Sequence, residues 1–397
     1  MKKTSIFSNA LLWFGAAVSV AEIETGAQLA AFAGKGGESL WPAILAILAG
    51  HAVGGFLFFL CAMICARRQV NAMSAQRCHY GNCGAKFFAG ANILQLIGWT
   101  AVMIAQGAAA ANALISAIPL WVMCVAIGAM VAIWLYCGAG EAVRLNGVAV
   151  ALLFAMVVIL TIRLIMQCHG NDGGAAAAGG EFSFWTAFEL SACMPLSWLP
   201  LAGDYVKDAR KPMAASAVSA VVYTIGSTWM YLIGLTATIF LSAANTTAIF
   251  AGFGMAGIAL AVVVLSTVTT TFLDAWSAGE SATTIWGRFN PRWISIGVTA
   301  LGIILAIWGI MDHLMDFLYF IAAVFAPMAA VQIIDYFLGE KDYPHRHAVN
   351  CAGWLIGFAA YQLCLRFACP FGAAIPAMAA AVALPAVVAL ANRKKSA

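Results

Sequence analysis

Long apolar stretches recur along this chain and are separated by short polar segments. A helix of about 20 residues crosses the roughly 30 Å of hydrocarbon in a bilayer, and these stretches have that length. They lack the two-residue alternation of barrel strands, so helices are the expected spanning form. We predict twelve transmembrane helices, near residues 10–33, 41–66, 86–112, 117–138, 145–167, 182–203, 214–241, 253–278, 292–311, 315–338, 349–368 and 371–391.

The composition agrees with a membrane protein. Hydrophobic residues make up 63% of the 397 positions and charged residues only 9%, against roughly 25% charged in a soluble domain. The first apolar stretch contains Glu22 and Glu24 and no convincing cleavage site, so we interpret it as a retained helix rather than a signal peptide. The 11 cysteines lie mainly in apolar segments and indicate no disulfide framework.

Basic residues predict the orientation. The chain has 20 lysines and arginines. If both termini are cytoplasmic, all of them except Lys35, Arg163 and Arg366 lie on the cytoplasmic side, as the positive-inside rule requires. The polar stretch at 169–180 then divides the helices into five, five and two. We predict one polytopic domain over 1–397, with repeats near 10–167 and 182–338 and two extra helices near 349–391, the order of an inverted-repeat transporter.

Polar residues concentrate in helices one and six. Helix one combines glycines with polar side chains, and helix six contains Pro195 and Pro200, each of which removes a backbone donor. Lipid cannot satisfy the freed carbonyls, so a break in either helix must face protein or a watery cavity. Half-helix ends of this kind bind substrate and ions in transporters. The alternatives are an interfacial position for Glu22 or Glu24 and a purely structural proline kink.

Helices three and eight carry further polar faces. In helix eight, Ser266, Thr270 and Asp274 recur every fourth residue, with hydroxyl oxygens suited to a small cation or to helix packing. In helix three, Gln95 and Trp99 share a face with two other amides, which suits a flat heterocycle or ordinary packing. No nucleotide-binding motif appears, which argues against an ATP-driven pump. Cys78, His79 and Cys83 supply only half of a zinc-site pattern, and their role stays open.

The same segments resemble a known family. The sequences NALLWFGAAVSVAEIETGAQLA, LQLIGWTAVMIAQGA, MPLSWLPLAGDYVKDARKP and TTTFLDAWSAGES are similar to the nucleobase:cation symporter-1 family, and most to its CytX branch, regarded as hydroxymethylpyrimidine transporters. The likeness runs through essentially the whole chain. Cytosine permeases of this family have asparagines in helix eight and a glutamine before the helix-three tryptophan. Here Thr271, Leu273 and Leu96 stand at those places, which argues against cytosine specificity.

The resemblance implies the LeuT fold, an all-α bundle of two inverted five-helix repeats plus two helices, and alternating access coupled to sodium or protons. It implies a cation site, with Na⁺ as the candidate ion, and a substrate site between helices one, three, six and eight. The implied cation ligands are Gly15, Val18, Thr269 and Thr270. The expected substrate-binding residues are Ser19, Glu22, Gln95, Trp99, Ser197, Trp198 and Asp274.

We therefore expect a secondary transporter in the bacterial inner membrane that imports a pyrimidine thiamine precursor, hydroxymethylpyrimidine. The acids Glu22 and Asp274 suit the amino groups of such a ring. The expected partners are this substrate, a coupling cation and the bilayer, with no nucleic acid and no other cofactor. The alternatives are a permease for cytosine, purines or another nucleobase, and, in a different class, a membrane sensor or intramembrane enzyme. Sensors carry output domains and enzymes carry nucleophile–base or metal clusters, and neither is visible here.

Overall fold

A computed structural model describes residues 3–32, 40–137, 139–168, 183–241, 256–338, 345–367 and 369–396. Each of the twelve predicted spans coincides with helix in these residues. Eight helices are long and apolar enough to cross a membrane, and the bent pair α1–α2 makes a ninth. The α-helices are α1 Ile6–Ala17, α2 Val20–Gln28, α3 Leu40–Arg68, α4 Ala72–Ala75, α5 Arg77–Leu114, α6 Leu120–Cys137, α7 Ala139–Cys168, α8 Phe184–Ser197, α9 Ala202–Val206, α10 Pro212–Leu241, α11 Ala256–Ile285, α12 Pro291–Trp308, α13 Leu314–Leu338, α14 Arg346–Arg366 and α15 Ala374–Ser396.

The predicted all-helical membrane fold is confirmed, but one polar interruption is not a loop. Residues 67–85 contain α4 and the first turns of α5, so the predicted start of helix three at residue 86 is wrong. The side chain of Asn71 caps α4 by accepting a hydrogen bond from the Ser74 amide at 2.7 Å. Gly81, with φ +70°, bends α5. The other long interruption, at 169–180, lies outside the described residues.

Large apolar side chains separate into a lipid-facing set and a central cluster. Trp308 is 85% exposed on the outside of the bundle, as expected where hydrocarbon is the solvent. Trp13 is fully buried and is the centre of an aromatic cluster that joins helices one, two, six and seven. Its ring contacts Phe58, Trp198, Tyr205 and Tyr223 edge-on, with centroids 4.7 to 5.9 Å apart.

The N-terminal segment pairs with the chain that leaves helix six. Thr4 donates its amide to the Asp208 carbonyl at 3.1 Å and accepts the Arg210 amide at 3.0 Å, in a parallel bridge. The start of α1 and the end of α9 therefore lie at the same end of the bundle, as the predicted topology requires. We call this the N-terminal end. Its cytoplasmic location remains a prediction.

A buried charged cluster joins helices three, ten and eleven at the N-terminal end. Asp335 accepts hydrogen bonds from His79 at 2.6 Å and from Arg346 at 2.7 Å, and Asn350 donates to the His79 carbonyl at 2.7 Å. This accounts for His79 as a packing residue, while Cys78 and Cys83 are exposed. The described residues contain no group of three metal-ligating side chains placed to hold an ion.

Helix α2 packs directly onto the backbone of α10, and this contact requires glycine. A Cβ on Gly234 would lie 2.7 Å from the Ala27 amide nitrogen and 3.0 Å from the Ile23 carbonyl carbon. We expect Gly234→Ala to destabilise the protein by about 1 to 3 kcal/mol, because backbone atoms cannot move aside as side chains can. Thermal unfolding in detergent measures this effect.

Gly297→Ala is the matched control for this contact. Its Cβ would meet no atom of the described residues within 4 Å beyond the backbone of its own helix, and alanine is the better helix former, so its melting temperature should equal or exceed that of the wild type. Equal melting temperatures for the two alanine variants would contradict the predicted close contact.

Candidate substrate and ion site

Helix one is broken where the prediction requires. Helices α1 and α2 meet at an angle of 48°, with Val18 and Ser19 outside helical geometry between them. Neither residue is glycine or proline. The Ser19 hydroxyl caps α2 by accepting the Glu22 amide at 3.3 Å, and the Val18 carbonyl accepts the Ser266 hydroxyl at 2.5 Å. Side chains thus satisfy backbone groups that the break releases.

Helix six is broken as well. Helix α8 ends at Ser197, a turn of four residues follows, and α9 begins at Ala202. The turn contains Trp198 and Pro200, which brings the indole to the centre of the bundle. Asn92 on α5 donates its side-chain amide to the Pro200 carbonyl at 3.3 Å. The freed carbonyl therefore faces protein rather than lipid, as a membrane interior demands.

A cavity lies between the two breaks and helices α5 and α11. The space between its lining atoms, including the part continuous with solvent, is about 320 Å³. All of the predicted substrate residues except Gln95 line it. The lining consists of Ala16, Ser19, Glu22, Trp99, Met103, Met194, Ser197, Trp198, Leu201 and Asp274.

Two polar groups in this lining have no hydrogen-bond partner within the described part of the chain. They are Oδ2 of Asp274 and Nε1 of Trp99, on side chains that are 3% and 7% exposed. A buried polar atom without a partner costs about 1 to 3 kcal/mol, and more when it is charged. A ligand that supplies donors to the carboxylate would remove this cost, so the cavity is suited to a small polar molecule.

Glu22 is already engaged on both carboxylate oxygens. Oε1 accepts the Tyr223 hydroxyl at 2.7 Å, and Oε2 accepts the Ser227 hydroxyl at 2.6 Å. Tyr223 in turn accepts the Trp198 indole N–H at 2.8 Å. Sequence reasoning missed Tyr223 and Ser227 because α10 is mostly apolar. Their four-residue spacing, continued by Tyr231, is the signal that marks a polar stripe.

Gln95 does not line the cavity, which corrects its predicted role as a substrate ligand. It is fully buried and donates its amide to the Asn92 side chain at 2.7 Å. Asn92 donates in turn to Pro200 and, at 2.8 Å, to Ser281. Gln95 therefore supports the residue that satisfies the helix-six break.

The predicted cation ligands lie beside the helix-one break. The Val18 carbonyl is outside the helical ladder, the Thr269 hydroxyl donates to the Ser266 carbonyl at 2.9 Å, and the buried Thr270 hydroxyl has no partner among the described residues. Gly15 is buried in the last turns of α1. Ser266 is an additional oxygen at this place. Neutral hydroxyl and carbonyl oxygens are ligands that small hard cations accept.

A larger cavity opens toward the end of the bundle opposite the N-terminal end. The space between its lining atoms, including the part continuous with solvent, is about 820 Å³, and we call it the vestibule. Trp99 and Met194 line both cavities and separate them. The other vestibule residues are Ala21, Thr25, Val102, Gln106, Thr186, Glu189, Leu190, Cys193, Tyr231, Leu314, Leu318, Tyr319 and Tyr361.

Hydrogen bonds close the N-terminal end below the substrate cavity. Asp204 accepts the Ala72 amide at 2.7 Å and the Ser277 hydroxyl at 2.5 Å, and Lys207 pairs with Glu280. Burial lowers the pKa of the Lys207 ammonium, but the Glu280 carboxylate more than offsets this and raises the pKa above its ordinary value. We call these contacts the inner seal. If the termini are cytoplasmic, the inner seal closes the cytoplasmic side of the substrate cavity.

A family model described as permease for cytosine/purines, uracil, thiamine, allantoin matches residues 1–362. The chain belongs to this permease family. The predicted nucleobase:cation symporter family is thereby confirmed, and the family consists of transporters rather than enzymes. Two curated relatives are the cytosine permeases of Escherichia coli strains K12 and O6:H1, each 24% identical over 145 residues. The matched region covers 36% of this chain and about a third, 34%, of either relative.

Solved structures share the fold of this permease. Mhp1, a nucleobase-cation-symport-1 family transporter in a closed conformation with bromovinylhydantoin bound, has a TM-score of 0.78 at 21% identity and covers 99% of this chain and 94% of its own. Inward-facing Mhp1 gives 0.76 at 19% identity, covering 99% and 92%. An outward-open Na⁺-coupled sialic acid symporter gives 0.73 at 13% identity, covering 98% and 90%. The predicted LeuT-like architecture is confirmed at the level of fold.

Proposed function

We propose that this permease imports hydroxymethylpyrimidine, a pyrimidine precursor of thiamine, across the bacterial inner membrane by cation-coupled secondary transport. The observation that carries the proposal is the Asp274 carboxylate oxygen, which has no partner among the described residues, in a cavity that it lines together with Trp99 between two broken helices. An aminopyrimidine offers an amino donor for this carboxylate and a flat ring for the face of the indole.

Each lining residue has a role in this proposal. Trp99 stacks on the pyrimidine ring from α5, as indoles do on heterocycles. Asp274 accepts the exocyclic amino group from α11, and the Ser197 hydroxyl, which already donates to the Met194 carbonyl at 2.7 Å, accepts a further donor. Ser19 and Trp198 enclose the ring from the helix breaks. Glu22 helps to set the polarity of the cavity, since Tyr223 and Ser227 occupy its oxygens.

The proposed coupling ion is a monovalent cation. Val18 and Thr270, with Gly15 and Thr269 nearby, would hold Na⁺ at the helix-one break, where the free Thr270 hydroxyl and the exposed dipole of α1 favour a cation. Binding there would tie α1 to α11 and fix one wall of the substrate cavity. Uptake with sodium replaced by choline at fixed pH tests this assignment, and full retention of uptake would remove it.

Trp99→Ala should reduce uptake of labelled hydroxymethylpyrimidine about tenfold, because loss of ring stacking costs about 1 to 3 kcal/mol. The assay uses a strain that lacks its own transport. Trp308→Ala is the matched control, since that indole is 85% exposed on the surface of the bundle and should leave uptake unchanged. Equal uptake by both variants would remove the stacking role.

A second candidate function is transport of cytosine, a purine or another nucleobase. The family description and the cytosine permeases among the relatives favour it. A competition panel separates the two candidates. If hydroxymethylpyrimidine is the substrate, unlabelled hydroxymethylpyrimidine suppresses uptake at far lower concentration than cytosine, adenine or hydantoin. A nucleobase that competes better than hydroxymethylpyrimidine would identify the second candidate as correct.

A further inference from the structure

Behind the substrate cavity, a hydrogen-bonded chain leads from Glu22 to two residues outside the cavity lining. Ser227 stands between Glu22 and His51, with its hydroxyl 2.6 Å from Oε2 of Glu22 and 2.7 Å from Nε2 of His51. The other imidazole nitrogen, Nδ1, lies 3.0 Å from the Ile47 carbonyl. Glu22 is 1% exposed, and Ser227 and His51 are fully buried. The chain thus links three helices across the bundle.

The number of protons in this chain follows from its geometry. A carbonyl only accepts, so Nδ1 of His51 must carry a proton toward Ile47. Ser227 has one proton and two neighbours, Glu22 and His51, so it can donate to only one of them. The other neighbour must then donate to the Ser227 oxygen. Every contact is satisfied only if one extra proton resides either on Nε2 of His51 or on Oε2 of Glu22.

Any other number of extra protons leaves a buried contact unsatisfied. With no extra proton, a lone pair of Glu22 or His51 faces the Ser227 oxygen, or Nδ1 faces the Ile47 carbonyl. With two extra protons, Glu22 and His51 both donate to Ser227, whose own proton then has no acceptor. Buried polar groups without partners are strongly disfavoured. The two satisfied states interconvert by a concerted shift: His51 gives its proton to Ser227 as Ser227 gives its own to Glu22. The shift leaves the total charge of the three residues unchanged.

The geometry points to Glu22, Ser227 and His51 as a proton-binding site of this transporter, holding one proton in this conformation and carrying it inward with the substrate. This inference rests on the proposed transport function. Glu22 also lines the substrate cavity, and the ring of His51 packs edge-on against Tyr231 at 4.6 Å, a residue of the vestibule. The site therefore adjoins both the substrate cavity and the vestibule.

The site is held by contacts that alternating access would change. Its members lie on α2, α3 and α10, so a movement of α2 separates Glu22 from Ser227 and removes the acceptor that retains the proton. Other titratable groups near the site are Tyr223 and Tyr231 on α10, Cys193 on α8, which lines the vestibule with Tyr231, and Asp274 on α11, which lines the substrate cavity with Glu22. Glu24 on α2 instead accepts a hydrogen bond from Gln106 on α5. Tyr223 donates to Glu22 and cannot also take the proton, because its oxygen accepts from Trp198.

Proteoliposomes with equal sodium concentrations on both sides, and with a pH-sensitive dye inside, test the inference. For wild-type protein, an inward proton gradient should drive accumulation of labelled hydroxymethylpyrimidine, and the substrate should carry protons inward. Ser227→Ala and His51→Asn should each reduce both signals at least about tenfold, because the shared proton loses its bridge or its base. Both variants should retain counterflow exchange of substrate, which needs no net proton movement and uses cavity residues that these changes leave intact.

Ser219→Ala is the matched control. Ser219 lies two turns earlier on α10, is fully buried and has no partner among the described residues, so its loss should change neither signal. Wild-type counterflow without proton entry, or full proton-driven accumulation by Ser227→Ala and His51→Asn, would overturn the inference while leaving the proposed substrate in place. Absence of wild-type counterflow would instead contradict the proposed substrate.

If the wild type shows no counterflow, a measurement that needs no substrate still tests the proton site. In protein labelled with ¹⁵N at histidine, His51→Asn assigns the His51 signals. Ser227→Ala should shift them strongly at neutral pH, because Nε2 of His51 loses its hydrogen-bond partner, and Ser219→Ala should not shift them. Identical His51 signals in wild type and Ser227→Ala would overturn the hydrogen-bonded chain on which the shared proton depends.

Discussion

Asp274→Asn is expected to reduce uptake of hydroxymethylpyrimidine about 50-fold, because a charge-assisted hydrogen bond to an amino group is worth about 1.5 to 3 kcal/mol. The carboxylate lies in the substrate cavity, 3% exposed, with Oδ2 unpartnered among the described residues. Transport of labelled substrate at several concentrations measures the effect. The loss should appear mainly as a higher KM, since the ground-state complex already uses this bond.

The stability of the same variant separates a binding role from a structural one. A carboxylate without a partner costs folding free energy, so Asp274→Asn should melt at the same temperature as the wild type or higher. Asp312→Asn replaces an exposed acid and should change neither uptake nor melting temperature. A variant Asp274→Asn that unfolds at lower temperature while its KM stays normal would show that the carboxylate packs the bundle and does not bind substrate.

Asp204→Ala is expected to open the inner seal. The carboxylate accepts hydrogen bonds from Ala72 and Ser277, each worth about 1.5 to 3 kcal/mol, and alanine removes both. The conformational equilibrium should then shift toward a state open at the N-terminal end, with accumulation reduced about tenfold. The thiol of Cys65 reports this opening directly. It is 2% exposed, and Gly203 packs so closely on it that a Cβ there would lie 2.5 Å from the sulfur.

Thiol labelling followed by mass spectrometry of the Cys65 peptide measures the opening without removing other cysteines. Asp204→Ala should label at Cys65 about ten times faster than the wild type, in proportion to the open population. Asp208→Ala is the matched control, because Asp208 contacts Thr4 through its backbone carbonyl, and its labelling should match the wild type. Equal rates for all three proteins would contradict the role of Asp204 in the seal.

Local sequence patterns were sufficient to predict the helices and both breaks. Apolar length predicted twelve spans, each of which coincides with helix in the described residues, because the bilayer thickness sets that length directly. Pro195 and Pro200 marked the helix-six break because their chemistry is local. The helix-one break at Val18 and Ser19 was predicted from the polar character around it, although neither residue is a helix breaker. Its position follows from tertiary contacts, above all the bond from Ser266 to the Val18 carbonyl.

Residues whose roles depend on distant partners were harder to predict. Gln95 shares a helix face with Trp99, yet it bonds Asn92, which reaches across to Pro200 on another helix. Tyr223 and Ser227 donate hydrogen bonds to Glu22, which lies about half of the chain away in sequence. The residue pattern within α10 does not predict that partner. Residues 67–85 looked like a loop because they are polar, but Asn71 caps a helix there. The division into two repeats stays a prediction.

A cryo-electron microscopy map of the protein with hydroxymethylpyrimidine would show whether the two broken helices enclose the substrate site. We expect helix one to be interrupted at Val18 and Ser19, helix six to be interrupted between Ser197 and Ala202, and ring density to stack on Trp99 within hydrogen-bond distance of Asp274. Continuous helices through both places, or ligand density confined to the vestibule with the inner cavity filled by side chains, would contradict this expectation.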